Sequence, residues 1–111
     1  MADTCVFCRI AAGELPARVV YRDDQAMAFH DLNPQAPVHV LVVPLDHHVD
    51  LSTAEPPLLG HLLHLCAALA AELGLEGGHR VVVNTGVDGG QTVGHLHLHL
   101  MGGRFMRWPP G

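Results

Sequence analysis

Between Pro56 and Leu73 apolar residues fall at Leu58, Leu62, Leu65, Cys66, Leu69 and Leu73. That three-to-four spacing draws one stripe along an amphipathic helix. Ser52 with Glu55 has the form of a capping box, Pro56 and Pro57 move the first turn slightly later, and Gly74 supplies the stop. Elsewhere the apolar runs shorten into strands. "HVLVVP", residues 39–44, is β-branched and too short for a good helix, which predicts a buried strand ended by Pro44. "ARVVYRDDQAMAFHDL" reads as two strands around Asp23 and Asp24, and "RVVVN", 80–84, as another. "HLHLHLMGG" reads as the last strand. "CVFCRIAAG" predicts a short helical turn, with Gly13 as its stop and Pro16 just beyond. "NPQAP", "LDHHVD" and the glycine-rich "TGVDGGQTVG" are loops, and no segment repeats. The order α, β, β, β, α, β, β predicts an α+β fold, a sheet with one long helix on a face.

Composition narrows the function. A chain of 111 residues, 49% hydrophobic and 15% charged, suits one globular domain with a core of Val, Leu and Ala. A formal charge of -5 with only six Lys and Arg excludes a protein that coats nucleic acid, so a phosphate partner is expected to be small. "MADTCVFCRI" lacks the basic start and apolar run of a signal peptide, and nowhere do eighteen apolar residues run together. No membrane partner is expected, and three cysteines, an odd number, fit a reducing cytoplasm.

Ten histidines carry the candidate chemistry. His61 and His64 lie off the leucine stripe and His79 in a turn, where solvated surface roles are expected. His95, His97 and His99 alternate with Leu96, Leu98 and Leu100. On a strand they share one face, with neighbours roughly 6.6 Å apart and the outer pair about 13 Å apart. Zinc needs ring nitrogens within about 2.1 Å, so one ion cannot take all three from a straight strand. Different jobs are expected of them. "CVFC" has a metal-ligand or a redox spacing. The hairpin after it does not match a thioredoxin-like pattern, and half a zinc site would be completed by His47 or His48 plus one histidine of the triplet. "GVDGGQTVG" lacks the lysine and spacing of a Walker loop, which leaves a cradle for a single phosphate or a plain hairpin connection.

These blocks resemble a known family. "HLHLHLM" has the H-φ-H-φ-H-φ-φ form of the histidine triad (HIT) superfamily. "AFHDLNPQAPVHVLVVP", "NTGVDGGQTVGH" and "GGRFMRWPPG" are similar to its Hint branch, the purine nucleoside phosphoramidases, in the same order along nearly the whole chain. The resemblance implies a single HIT domain over residues 1–111, with a five-stranded antiparallel sheet, a long helix and a short N-terminal helix. It also implies a homodimer in which the tail, residues 102–111, reaches the partner's active site through Trp108.

The implied ligand is a purine nucleoside monophosphate or phosphoramidate. His97 would be the nucleophile that forms a nucleotidyl-histidine intermediate, His99 would contact the phosphate and His39 would orient the site. Asp31 and Leu32 match the ribose and base positions, and Asn84, Gly90, Gln91, Thr92 and Val93 the phosphate-side loop. The chemistry is consistent: an imidazole with an ordinary pKa near 6.5 is largely neutral at pH 7 and keeps a lone pair for attack. His99 and backbone N–H groups could meet the charge on the phosphoryl oxygens, so no catalytic metal is expected. The Thr92 hydroxyl could relay a proton to the leaving amine. Members with an N-terminal C-x-x-C use it for structural zinc, which carries over to Cys5, Cys8, His47 and His95, with His48 an adjacent rival.

Two departures from the branch bear on leaving-group preference. Thr92 stands where serine is usual, and Gly94 where a larger or aromatic residue is frequent. A dinucleoside polyphosphate hydrolase or nucleotidyl transferase of a neighbouring branch is an alternative that "WPPG" disfavours. A non-catalytic nucleotide-binding scaffold is the other.

Overall fold

A computed structural model describes residues 4–111. The elements are α1 (Val6–Ala11), β1 (Val19–Arg22), β2 (Ala26–His30), β3 (Val38–Pro44), α2 (Pro56–Glu72), β4 (His79–Val82) and β5 (Leu98–Gly102), with a 3-10 turn at Leu51–Thr53 before α2. The strands form one antiparallel sheet in the order β1-β2-β3-β5-β4. The α+β architecture read from the sequence is the one observed.

The stripe on α2 packs as its spacing predicts. Leu62, Leu65, Cys66 and Leu69 are buried against Val40 and Val42 of β3 and Leu98 and Leu100 of β5. Each such buried leucine contributes roughly 1.5–3 kcal/mol. The opposite face of β2 and β3 carries a second cluster of Met27, Phe29, Leu41 and Val43 around Phe7 of α1. β3 is therefore buried on both sides, which is why its apolar run is continuous rather than alternating. Register places His39 opposite Met101 and Leu41 opposite His99, so His39 and His99 are diagonal neighbours on the α1 side.

Four local expectations are corrected. The last strand begins at Leu98, so only His99 of the three histidines sits in the ladder. Upstream of it the chain runs beside the turn after β3, where Leu96 N–H bonds the His48 carbonyl at 2.6 Å. β4 covers His79–Val82 rather than 80–84, placing His79 in a strand instead of a turn. The capping box belongs to Asp50, whose carboxylate accepts from Ser52 N–H at 2.9 Å, not to Ser52 and Glu55. Glu55 makes no side-chain cap, and Pro56 and Pro57 remove two of the N–H groups of the first turn. His61 is not free in solvent: its Nε2 lies 2.7 Å from Asp23 Oδ2, because the β1–β2 turn folds over that side of α2. Among the described residues no helix is long and apolar enough to cross a membrane.

Candidate functional site

The N-terminal cysteines, the loop after β3 and the segment before β5 meet at one point. Cys5 Sγ lies 3.3 Å from His95 Nδ1, Cys8 Sγ lies 3.3 Å from His47 Nδ1, and the two Nδ1 atoms are 3.2 Å apart. For Zn–S near 2.3 Å and Zn–N near 2.1 Å, a tetrahedron has S–N edges of about 3.6 Å and N–N edges of about 3.4 Å. The four donor atoms therefore stand at the corners a zinc ion needs, all within 4.8 Å of one another. Tautomer agrees: His95 Nε2–H donates to the Pro44 carbonyl at 2.9 Å, which leaves Nδ1 as the lone pair facing the sulfurs. Burial, then the hydrogen bond and charge of Cys5, push the Cys8 thiol up to about 11. A dication among the donors reverses that balance, so thiolate formation and zinc binding go together. His48 is not among the donors that converge here, and its Nδ1–H donates to the Thr53 carbonyl at 3.2 Å.

Beyond this centre His97 and His99 line a cavity of about 280 Å³ between α1, the end of β2 and the loop before β5. Its walls are mostly apolar, from Val6, Phe7, Ile10, Ala17, Phe29 and Leu41, with Asp31, Leu32, Thr92 and Val93 at the margin. Phe7 packs edge-on against both His95 and His97, at centroid distances of 5.7 and 5.2 Å. Sequence reading passed over this residue, although its place between two ligand cysteines was the available signal.

Hydrogen bonds fix the tautomers of the histidines at the cavity. His97 Nδ1–H donates to the His95 carbonyl at 2.7 Å, which leaves its Nε2 lone pair available. His39 Nδ1 accepts from the Gln35 backbone N–H at 2.9 Å, so the proton of neutral His39 is on Nε2. That Nε2–H points to His99 Nδ1, 2.9 Å away, and His99 in turn carries its proton on Nε2. Two rings lining one cavity thus hold opposite tautomers, an acceptor at His97 and a donor at His99. Burial, then the neighbouring His97 and His39, lowers His99 to about 4 against the pull of Asp31. His39 is also lowered, by burial, with Asp31 opposing.

Asp31, His39 and His99 also lie close enough together to suggest a second metal site. The Gln35 N–H argues otherwise. With Nδ1 of His39 accepting, Nε2 bears a hydrogen and has no lone pair for an ion. Asp31 Oδ2 instead sits 3.4 Å from that Nε2.

The remaining residues singled out from the sequence shape loops. Asn84 Nδ2 donates to the Gly89 carbonyl at 2.7 Å, and Gln91 joins Gly86 N–H at 3.0 Å to the Val49 carbonyl at 2.7 Å. Gly90, with φ +78°, turns the chain between them. Trp108 is 83% exposed and stands away from the cavity.

A HIT domain model matches residues 12–106. The chain belongs to the HIT family. A 14 kDa zinc-binding protein of Zea mays is 47% identical over 96% of this chain and 87% of its own length. Among solved structures, a HIT family hydrolase from Legionella pneumophila superposes with a TM-score of 0.93 at 46% identity, covering 97% of this chain and all of its own. A zinc-bound histidine triad family protein from Mycobacterium smegmatis gives 0.85 at 32% identity, over 94% of this chain and 78% of its own. Cys5, Cys8, His47 and His95 are the structural zinc site of this HIT protein. All four positions are taken by protein ligands, which makes the site closed rather than catalytic.

Proposed function

We propose that this HIT protein is a hydrolase of purine nucleoside 5'-phosphoramidates. The observation that carries the reading is the pair of opposed tautomers at the cavity, a lone pair on His97 Nε2 beside an N–H on His99 Nε2. An attacking nitrogen and a phosphate donor need that complementarity.

His97 Nε2 attacks the α-phosphorus, a P–N bond to the ring forms, and the P–N bond to the amine breaks. The amine leaves with a proton that the Thr92 hydroxyl at the cavity margin passes on while taking one from solvent water. His99 Nε2–H donates to a phosphoryl oxygen, and His39 holds His99 in that state. Water then attacks the nucleotidyl-histidine, releasing the monophosphate and restoring the ring. The apolar slot takes the purine beside Leu32, and Asp31 receives the ribose hydroxyls. Asn84, Gly90 and Gln91 shape the loop that supplies backbone N–H groups to the phosphate. The reading takes residues 1–111 as one HIT domain in a homodimer, with Trp108 offered to the partner's site and a reducing cytoplasm keeping Cys5 and Cys8 as thiols.

Mass spectrometry of the protein mixed rapidly with an adenosine phosphoramidate tests it. An AMP adduct on His97 is expected, and His97→Ala should lose both adduct and turnover while still binding AMP. Turnover surviving in that variant rejects the covalent route. A dinucleoside polyphosphate cleaved more efficiently than the phosphoramidate would instead favour the neighbouring branch.

A further inference from the structure

The tautomer of His39 depends on one backbone N–H, that of Gln35, in the loop between β2 and β3. Within the loop Asn33 N–H donates to Asp31 Oδ1 at 2.8 Å and Gln35 Nε2–H to the Asn33 carbonyl at 3.0 Å, and a further restraint comes from the other end of the chain. Arg104 Nε and Nη2 both donate to the Gln35 carbonyl, at 3.3 and 3.1 Å, while its Nη1 donates to the Phe105 carbonyl at 3.1 Å. The chain can come this close because Gly103 precedes it. At φ +90°, a side chain there would be strained and its Cβ would sit 2.9 Å from Pro37 Cβ. Gly103 therefore lets the segment after β5 lie against the loop, and Arg104 lands over Gln35.

We propose that Arg104 is a positioning residue for the His39–His99 pair, acting through the backbone of Gln35. It touches neither ring. By pinning the Gln35 carbonyl from one side it keeps the preceding N–H aimed at His39 Nδ1, and a second proton on that nitrogen would face a donor. The chain of donors then runs in one direction, Gln35 N–H to His39, His39 Nε2–H to His99 Nδ1, and His99 Nε2–H to the cavity. The other titratable groups facing His39 are Asp31, with Oδ2 at 3.4 Å, and His99, behind which His97 stands at a ring distance of 5.0 Å. This role rests on the phosphoramidase reading for its catalytic consequence but not for its structural one.

The test uses full-length, zinc-loaded protein labelled with ¹⁵N-histidine. Long-range ¹H–¹⁵N spectra report which ring nitrogen of His39 and His99 bears the proton, across a pH titration without substrate. Wild type should show the Nε2–H form at both. Arg104→Ala should mix the His39 tautomers and raise its protonation midpoint, with kcat down about five- to tenfold, the effect of one weakened hydrogen bond, and KM within twofold. Arg104→Lys keeps the charge without the fork, so partial restoration of the spectrum and rate is expected if geometry matters, and full restoration would assign the effect to charge and overturn the role. Gln35→Pro, which deletes the N–H itself, should shift His39 at least as far as Arg104→Ala. A His39 spectrum unchanged in Arg104→Ala overturns the proposal. Absence of turnover in wild type would instead reject the phosphoramidase reading, and the spectra would still decide the part played by Arg104.

Discussion

The carbonyl of His95 accepts the Nδ1–H of His97 at 2.7 Å, so a zinc ligand sets the tautomer of the ring beside it. Phe7, held between Cys5 and Cys8, packs against the same two rings. The metal centre therefore stands behind two residues of the cavity wall, Phe7 and His97. Cys8→Ser should lower zinc content by elemental analysis and destabilise the protein by roughly 2 kcal/mol, seen as a fall in Tm of about 8 °C or more. It should also reduce phosphoramidate turnover by at least about tenfold, because α1 loses its anchor. Full turnover in zinc-free protein would show that the two sites are independent.

Thr92 stands at the cavity margin, where serine is usual in the branch it resembles. If its hydroxyl relays the proton to the leaving amine, Thr92→Ser should retain activity within about threefold and Thr92→Val should lose about 10²-fold in kcat. The loss should grow as the leaving amine becomes more basic. A Thr92→Val enzyme indifferent to amine basicity would remove Thr92 from the proton path.

The glycine-rich loop can be tested at Gly89. A Cβ there would collide with the Thr85 backbone carbonyl oxygen, which no side-chain rotation relieves. Gly89→Ala should open the turn held by Asn84 Nδ2 and weaken AMP binding by about tenfold. The urea midpoint should move little, because the loop lies outside both apolar clusters. Unchanged AMP affinity would identify the loop as a plain connection.

The parts of this molecule legible in its sequence are those governed by local pattern. The α2 stripe, the apolar run of β3 and the tight C-x-x-C spacing each follow from periodicity or from ligand chemistry. What was not legible depends on partners distant along the chain. His95 and His97 alternate like strand residues, yet the ladder with β3 stops at the Val42–Leu98 pair, and Leu96 N–H goes instead to the carbonyl of His48 in the loop after β3. The choice between His47 and His48 depends on the path of the loop after β3, which brings His47 Nδ1 to 3.3 Å from Cys8 Sγ and leaves His48 outside the cluster. Arg104 and Gln35 carry no local signal at all, since their importance is one contact across 69 positions.

His61 belongs to the same class, and its partner gives a prediction about acid. Burial raises the Asp23 carboxyl, but hydrogen bonds from Gln25 N–H, Tyr21 O–H, Ala26 N–H and His61 outweigh it and hold the group down at about 2. The unfolded chain should titrate near the ordinary value of 3.8, so the folded state binds this proton less readily than the unfolded one. The resulting stability is fully present above pH 3.8, declines as pH falls below it, and is gone once pH passes below about 2. Asp23→Asn keeps the shape and loses the charge, and should destabilise by about 1 kcal/mol at pH 6. Urea denaturation of both proteins between pH 6 and pH 2 should show midpoints that converge as the pH drops. A gap that stays constant over that range would mean that the His61–Asp23 contact, 2.7 Å long in the structure, is not coupled to the charge of the carboxyl.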